Sequence, residues 1–421
     1  MRRAKPPSEL LFQRTTIPGG VRVVTETIPS VRSIAVGAWI FNGSRDELDS
    51  ESGISHLIEH MVFKGTARRK THHIAQRLES VGGYLNAFTS KEYTCYYARS
   101  LDEHLTRAID LVSDLVLSPN IPPRELEKEK DVVLEEMKMY EDNPEDLIFD
   151  RFEALLYHEH ELGRPIIGFP ETVTAFSRDQ LLQYIDSHYT PNRIVIAVAG
   201  NAEHQRVVDI VSRIFEAAGR EQRPHVRVPL NGYEPRAMTE RRPTQQAHIV
   251  LGTRSLDIYD PRRTALTVLN TLLGGGMSSR LNQNIREKYG YCYNIYSFVN
   301  MHSDAGDFGV YMGTDATKVD RAKKLISREL QRVATTPVSG RTLSQAKNQV
   351  KGSVMLGLEN MSNRMMRIGR QELYFNRYIT LDEIIEEVDS VTAEDVTALA
   401  SELFNPEAFT SVVLLPQNHQ S

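Results

Sequence analysis

His56, Glu59 and His60 stand within one apolar stretch, GISHLIEHMVFKGT, residues 53–66. On a helix, residues four apart project from the same face, so the two imidazoles lie side by side with the Glu59 carboxylate next to them. Zinc takes imidazole nitrogens at about 2.0–2.1 Å in a tetrahedral shell. Hydrolysis at such an ion also needs a third protein ligand, an open position for water and a general base. Glu59 fits the base. Histidines at this spacing often occur without metal, but the flanks here are Ile54, Leu57, Ile58, Met61, Val62 and Phe63. Burying three polar groups unpaired among them would be costly, and a shared ion removes that cost.

The third ligand should be a carboxylate on another element. PPRELEKEKDVVLEEMKMYEDNPED predicts a helix from about Arg124 to Tyr140, with Pro122 and Pro123 at its start. Leu126, Val133 and Met137 form its buried stripe, and Glu129 and Glu136, seven apart, share one face. Glu125, Glu127, Glu135 and Glu141 are assigned to a solvated face. Spacing alone does not choose among the six glutamates, and Glu136 is ranked first.

The elements that position these residues occur twice, at a period of roughly 215 residues. SRDQLLQYIDSHYTPNRIVIAVAGN from Ser177 matches TAEDVTALASELFNPEAFTSVVLLPQN from Thr392. Each opens with a Ser/Thr cap, runs as a helix, reaches a proline (Pro191, Pro406) and enters a β-branched strand. SLDEHLTRAIDLVSDLV from Ser100 matches TDATKVDRAKKLISREL from Thr314, and Arg124, Leu126 and Lys130 match Arg341, Leu343 and Lys347. Each copy reads as an alternating strand (SIAVGAWIFNG; QAHIVLGTRSL), two short helices, a hairpin, longer helices and a closing strand. The first hairpin is GYLNAFTSKEYTCYYARS. The expectation is an α+β fold of two homologous domains from an internal duplication, each an antiparallel sheet covered by helices. Their predicted bounds are 1–218 and 246–421, joined by a Pro/Arg/Gly-rich linker, 219–245. At the repeat offsets, His56, Glu59 and His60 fall on Asn270, Leu273 and Gly274, and Glu136 falls on Ser353, so the second copy lacks the metal chemistry.

Composition narrows the class. The 421 residues are 40% hydrophobic and 25% charged, with a net charge of −5 and no basic stretch interleaved with aromatics, which argues against nucleic acid. No window approaches the roughly 20 apolar residues of a membrane helix, and no apolar run follows the basic start MRRAKPP. Cys95 and Cys292 stand in no metal-type spacing and suggest a reducing compartment, with the cytoplasm as the expected location. His158 and His160, two apart, point apart on a helix, which argues against a metal site there; His72 and His73 are adjacent, diverge likewise and read as surface residues.

H-x-x-E-H is the inverzincin signature. With GGYLNAFTSKEYT and EKDVVLEEMKMYED following in order, the chain resembles the pitrilysin/insulinase-type zinc metallopeptidases over its whole length. It is most similar to the short bacterial relatives of the mitochondrial processing peptidase β subunit. The resemblance implies one Zn2+ per chain, held by His56, His60 and Glu136, with Glu59 activating water there and Glu129 orienting a ligating histidine from behind. It also implies that Asn86 and Ala87 bind an extended peptide by backbone pairing. Arg286 and Tyr293, with Tyr291 the rival, would reach substrate from the second copy. Asp146 and Asp150 would meet a substrate arginine, though a place in the first turn of a helix explains Asp146 equally well. The implied protein is a zinc-dependent endopeptidase for peptides or unfolded polypeptide segments, enclosed in a clamshell whose second domain acts as a lid. The alternative is a non-catalytic peptide-binding or partner subunit. A homodimer, or a heterodimer with a related chain, is expected.

Overall fold

The computed structural model describes residues 11–216, 221 and 226–417. Of the expected linker, 219–220 and 222–225 lie outside the described residues, as do 1–10, 217–218 and 418–421 of the flanking domains. The first half runs β1 (Phe12–Thr16), β2 (Arg22–Thr27), β3 (Ser33–Ile40), α1 (Ile54–Val62), α2 (Thr71–Glu79), β4 (Tyr84–Thr89), β5 (Thr94–Leu101), α3 (Leu105–Leu117), α4 (Pro123–Asp142), α5 (Pro144–Tyr157), α6 (Pro170–Ala175), α7 (Arg178–His188), β6 (Ile194–Gly200) and α8 (His204–Glu216). The second runs β7 (Ala237–Arg242), β8 (Ala247–Ser255), α9 (Arg263–Gly274), a π-helical turn (Asn282–Glu287), β9 (Cys292–Met301), β10 (Gly306–Thr314), α10 (Val319–Thr335), α11 (Gly340–Gly357), α12 (Met361–Phe375), α13 (Leu381–Ser390), α14 (Ala393–Leu403) and β11 (Thr410–Pro416).

The described strands form two sheets, ordered β1-β2-β6-β3-β5-β4 and β7-β11-β8-β10-β9. Without β1 the two orders are the same, strand for strand, which is the duplication expressed as topology. The fold is α+β, and one detail refines the expected antiparallel sheets. β2 pairs with β6, and β7 with β11, in parallel, while the remaining pairs are antiparallel. The matched helices start as their sequences dictate. Ser177 accepts from Gln180 N–H at the head of α7, and Thr392 accepts from Asp395 N–H at the head of α14.

Two compact units result. One comprises Met1–Met137, Arg164–Arg227 and Gly357–Thr380; the other comprises Lys138–Gly163, Val228–Leu356 and Leu381–Ser421. All strands of the first sheet come from the first sequence half and all strands of the second from the second half. Two helices are traded: α12 belongs to the first unit and α5 to the second. The trade explains the burial of β3, whose residues after Ser33 are all buried, on both faces of the strand. Ile34, Val36, Ala38 and Ile40 join the core that includes α1, α3 and α8 residues. On the other face Trp39 donates its indole N–H to Met365 of α12. The helix lies so close that a Cβ on Gly37 would stand 2.4 Å from Met365 Sδ, and one on Gly369 would stand 2.3 Å from Trp39 Nε1. In the second unit α5 plays the same part, with Leu147, Ile148, Phe152 and Leu156 packed against Val250, Val412 and Leu414.

Candidate metal centre

The nine-residue α1 is fixed at its N-terminal end and along one face. Buried Glu47 accepts the Gly53 N–H at 2.8 Å and the Ser55 N–H at 2.9 Å, which satisfies two of the helix's leading donors. Gly53 has φ +93°, and a Cβ there would lie 2.6 Å from the Ile167 carbonyl oxygen, so this entry turn requires glycine. Ile54, Leu57, Ile58, Met61 and Val62 face the core. His56, Glu59 and His60 are left on the half-buried face. α4 buries Leu126, Glu129, Lys130, Val133 and Met137, which brings the Glu129/Glu136 face to α1. The helix begins at Pro123, as its proline pair dictates.

Glu136 Oε2 lies 3.5 Å from His60 Nε2 and 4.0 Å from His56 Nε2. One ligand atom from each of the three residues lies within 4.8 Å of the others, and no other group among the described residues has this metal-holding arrangement. Behind His60, Glu129 Oε1 accepts from Nδ1 at 3.0 Å, and Glu129 Oε2 pairs with Lys64 Nζ at 2.7 Å. Burial and then the neighbouring His60 push His56 down to about 3, so its imidazole is neutral. Burial also works on His60, but the hydrogen bond to Glu129 and the charges of Glu136, Glu129 and Glu59 outweigh it and raise its pKa. Glu129 is held below the ordinary carboxylate value: its burial is outweighed by the bonds from His60 and Lys64. Burial raises Glu59, opposed by a hydrogen bond from Thr89 and the charge of His60.

The donor set fits zinc. Two ligand atoms about 2.1 Å from one tetrahedral ion are roughly 3.4 Å apart, close to the Glu136 separations. His56 Nδ1 is buried without a hydrogen-bond partner, and 4.0 Å is too long for Nε2 to bond Glu136. An imidazole that is 13% exposed and bonded at neither nitrogen is a costly arrangement unless Nε2 serves an ion. Two imidazoles and one carboxylate, with Glu129 fixing the tautomer of His60, are zinc-type chemistry.

The other expected residues are placed as follows. Asn86 and Ala87 lie on β4, the edge strand of the first sheet, and Asn86 Oδ1 accepts the Ala87 N–H at 2.8 Å. Asp146 and Asp150 stand on α5, and Arg286 and Tyr293 stand on the π-helical turn and β9. All four belong to the second unit, so the metal cluster is built without them. Asp146 accepts from the Asn143 side chain in the first turn of α5, the helix-start role. The Arg286 guanidinium lies 5.5 Å from the centre of the Tyr293 ring, which is 83% exposed. Tyr291 instead meets Lys318 and Arg321. His72, His73 and His158 are exposed and His160 is half-buried, and the His72 and His73 ring centres lie 3.9 Å apart rather than diverging. Cys95 and Cys292 are free thiols. Asn270, Leu273 and Gly274 fall on α9, between β8 and β9, where α1 falls between β3 and β4.

Three residues of the site escaped the sequence reading: Glu47, Lys64 and Thr89. Lys64 follows His60 by four positions, a spacing that could have drawn attention to it. Thr89 reaches Glu59 across thirty residues of chain, and Glu47 holds the start of α1 through Gly53 and Ser55; neither carries a motif that marks it.

Comparison with known proteins places the chain in a family. Residues 22–169 match the family model "Insulinase (Peptidase family M16)", and residues 175–350 match "Peptidase M16 inactive domain". The uncharacterized zinc protease YmxG of Bacillus subtilis is 41% identical, with 94% of this chain and 97% of the relative covered. An uncharacterized zinc protease of Streptomyces coelicolor is also 41% identical, over 95% of this chain and 89% of its own length. Among solved structures, a Helicobacter pylori protease superposes with a TM-score of 0.89 at 23% identity, covering 96% of this chain and 99% of its own. A Pseudomonas fluorescens structure described as a peptidase M16 inactive domain gives 0.90 at 21%, covering 97% and 99%. The chain belongs to the insulinase-type M16 peptidase family. No helix among the described residues is long and apolar enough to cross a membrane.

Proposed function

We propose that the chain is a zinc-dependent endopeptidase that cleaves peptides or unfolded polypeptide segments. The observation that carries this reading is the convergence of His56 Nε2, His60 Nε2 and the Glu136 carboxylate, with the half-buried Glu59 on the same helix face. Zinc bound there supplies Lewis-acid polarisation of the scissile carbonyl and acidifies water. Glu59 takes a proton from the attacking water, helped by a carboxyl whose burial makes it a stronger base than a free glutamate, and then delivers it to the leaving amine. Glu129 holds His60 by its far nitrogen, so the ring presents Nε2 forward. β4, at the sheet edge, supports pairing with an extended peptide, which favours unfolded segments over folded proteins, whose strands are already paired.

The test is metal analysis with peptide cleavage for wild type and Glu59→Gln. The variant is expected to retain zinc and to lose about 10²- to 10⁴-fold in turnover, the range for general acid–base catalysis. Undiminished cleavage would exclude the mechanism. Peptide binding without turnover in zinc-loaded wild type would favour the non-catalytic subunit instead.

A further inference from the structure

We propose that Thr89 is the positioning residue of Glu59, locking one carboxylate oxygen so that the other faces the reaction, and that it does so from the strand on which substrate docks. The inference rests on the peptidase reading above and extends it to a residue outside the metal motif.

Thr89 Oγ1 donates to Glu59 Oε2 at 2.7 Å. Thr89 acts on the Glu59 carboxylate through its backbone as well as its hydroxyl, so one residue sets how that carboxylate stands. A glutamate has three side-chain torsions, and fixing one oxygen removes most of the freedom with which the other could drift. Threonine is suited to the task. Its branched Cβ restricts χ1, so its hydroxyl is held where a serine hydroxyl would rotate more freely.

The location adds the second half of the inference. Thr89 ends β4 and pairs with Thr94 of β5. Residues two apart on a strand share a face, so Thr89, Ala87 and Leu85 project together. Ala87 joins the core that holds the apolar face of α1, and Leu85 packs against it. β4 therefore presents one long edge to an incoming strand and sends its last side chain to the base on α1. A peptide paired along β4 is registered against the same backbone that fixes Glu59. Substrate position and base position share one rigid reference, as pre-organised catalysis requires.

The experiment compares Thr89→Val and Thr89→Ser with wild type in steady-state cleavage of a quenched fluorescent peptide, with zinc content and thermal melting measured alongside. Valine keeps the shape and the β-branch and removes only the donor. Thr89→Val is expected to lower kcat about 10- to 100-fold, the weight of one hydrogen bond to a charged group, with KM, zinc content and melting unchanged. Thr89→Ser should recover kcat to within about threefold. A readout without metal accompanies these. In zinc-free protein, the side-chain carboxyl ¹³C resonance identified by its loss in Glu59→Gln should move in Thr89→Val and return in Thr89→Ser. A wild-type kcat in Thr89→Val, a loss that serine does not restore, or an unmoved resonance would each overturn the proposal. The two readings fail separately: an active Glu59→Gln removes the peptidase mechanism, whereas an inactive Glu59→Gln beside a fully active Thr89→Val removes Thr89 alone.

Discussion

The two imidazoles of the candidate metal centre are unequal, and the inequality is set by what stands behind each ring. His56 is buried with no acceptor at Nδ1 and is pushed down to about 3. It therefore offers a neutral nitrogen at any physiological pH. His60 has the Glu129 carboxylate at Nδ1 and two further acidic neighbours, Glu136 and Glu59, which together outweigh its burial and raise its pKa in the metal-free protein. Zinc must displace that proton from His60 before it binds. The sign follows. Affinity is full above the raised His60 value and falls as pH drops through it, by about tenfold per pH unit for one competing proton, while His56 adds nothing until pH nears 3. Zinc titrations from pH 8.5 to 5.5, in buffers of different ionisation heat, should show that loss with release of about one proton at the acid end. A flat affinity across the range would contradict the assigned roles. Glu129 owes its lowered pKa to His60 and Lys64, so Lys64 belongs to the same chain of charges although it touches no ligand.

Elements decide how far such residues can be read in advance. His56, Glu59 and His60 were legible because helical periodicity alone puts them on one face, and Glu129 with Glu136 were legible for the same reason. What periodicity could not supply was the choice of Glu136 over five other glutamates. That needs the docking of α4 on α1, a tertiary fact anticipated here only through family resemblance. The caps at Ser177 and Thr392 were equally legible, since a Ser/Thr cap announces itself locally. α12 was not. Nothing in MSNRMMRIGRQELYF says that it will cover a sheet made more than 150 residues earlier. The trace it leaves is a pair of glycines at the point of closest approach, Gly37 on β3 and Gly369 on α12. Gly369→Ala would drive a methyl group into the Trp39 ring and should cost roughly 1–3 kcal/mol as overpacking. Denaturant unfolding checks this. The helix-propensity gain of alanine over glycine, about 1 kcal/mol, would prevail only if Trp39 could move aside, and a stabilised variant would show that the contact is loose.

At the scale of the whole molecule, one design has been used twice, and among the described residues one copy carries the candidate metal cluster. The identical order of five strands in the two sheets carries the duplication further than the three sequence matches could. The helix trade shows that the compact units are not the two sequence halves: each sheet borrows its second cover from the other half's chain. That could not be read from a repeat, because a repeat reports which segments are alike and not which ones pack together. Function follows the asymmetry. α1 carries His56, Glu59 and His60, whereas Asn270, Leu273 and Gly274 on α9 offer no imidazole and no carboxylate. Gly274 is moreover pressed against Ser297, where a Cβ would meet the backbone nitrogen at 2.0 Å, so the second copy has no room for a ligand at that position. The most direct measurement is anomalous diffraction at the zinc edge on crystals of the purified chain. The expected result is one peak per chain, about 2.0–2.2 Å from His56 Nε2, His60 Nε2 and a Glu136 oxygen, with none on α9 or α11. A map without density among those three side chains, or with the ion held elsewhere, would contradict it.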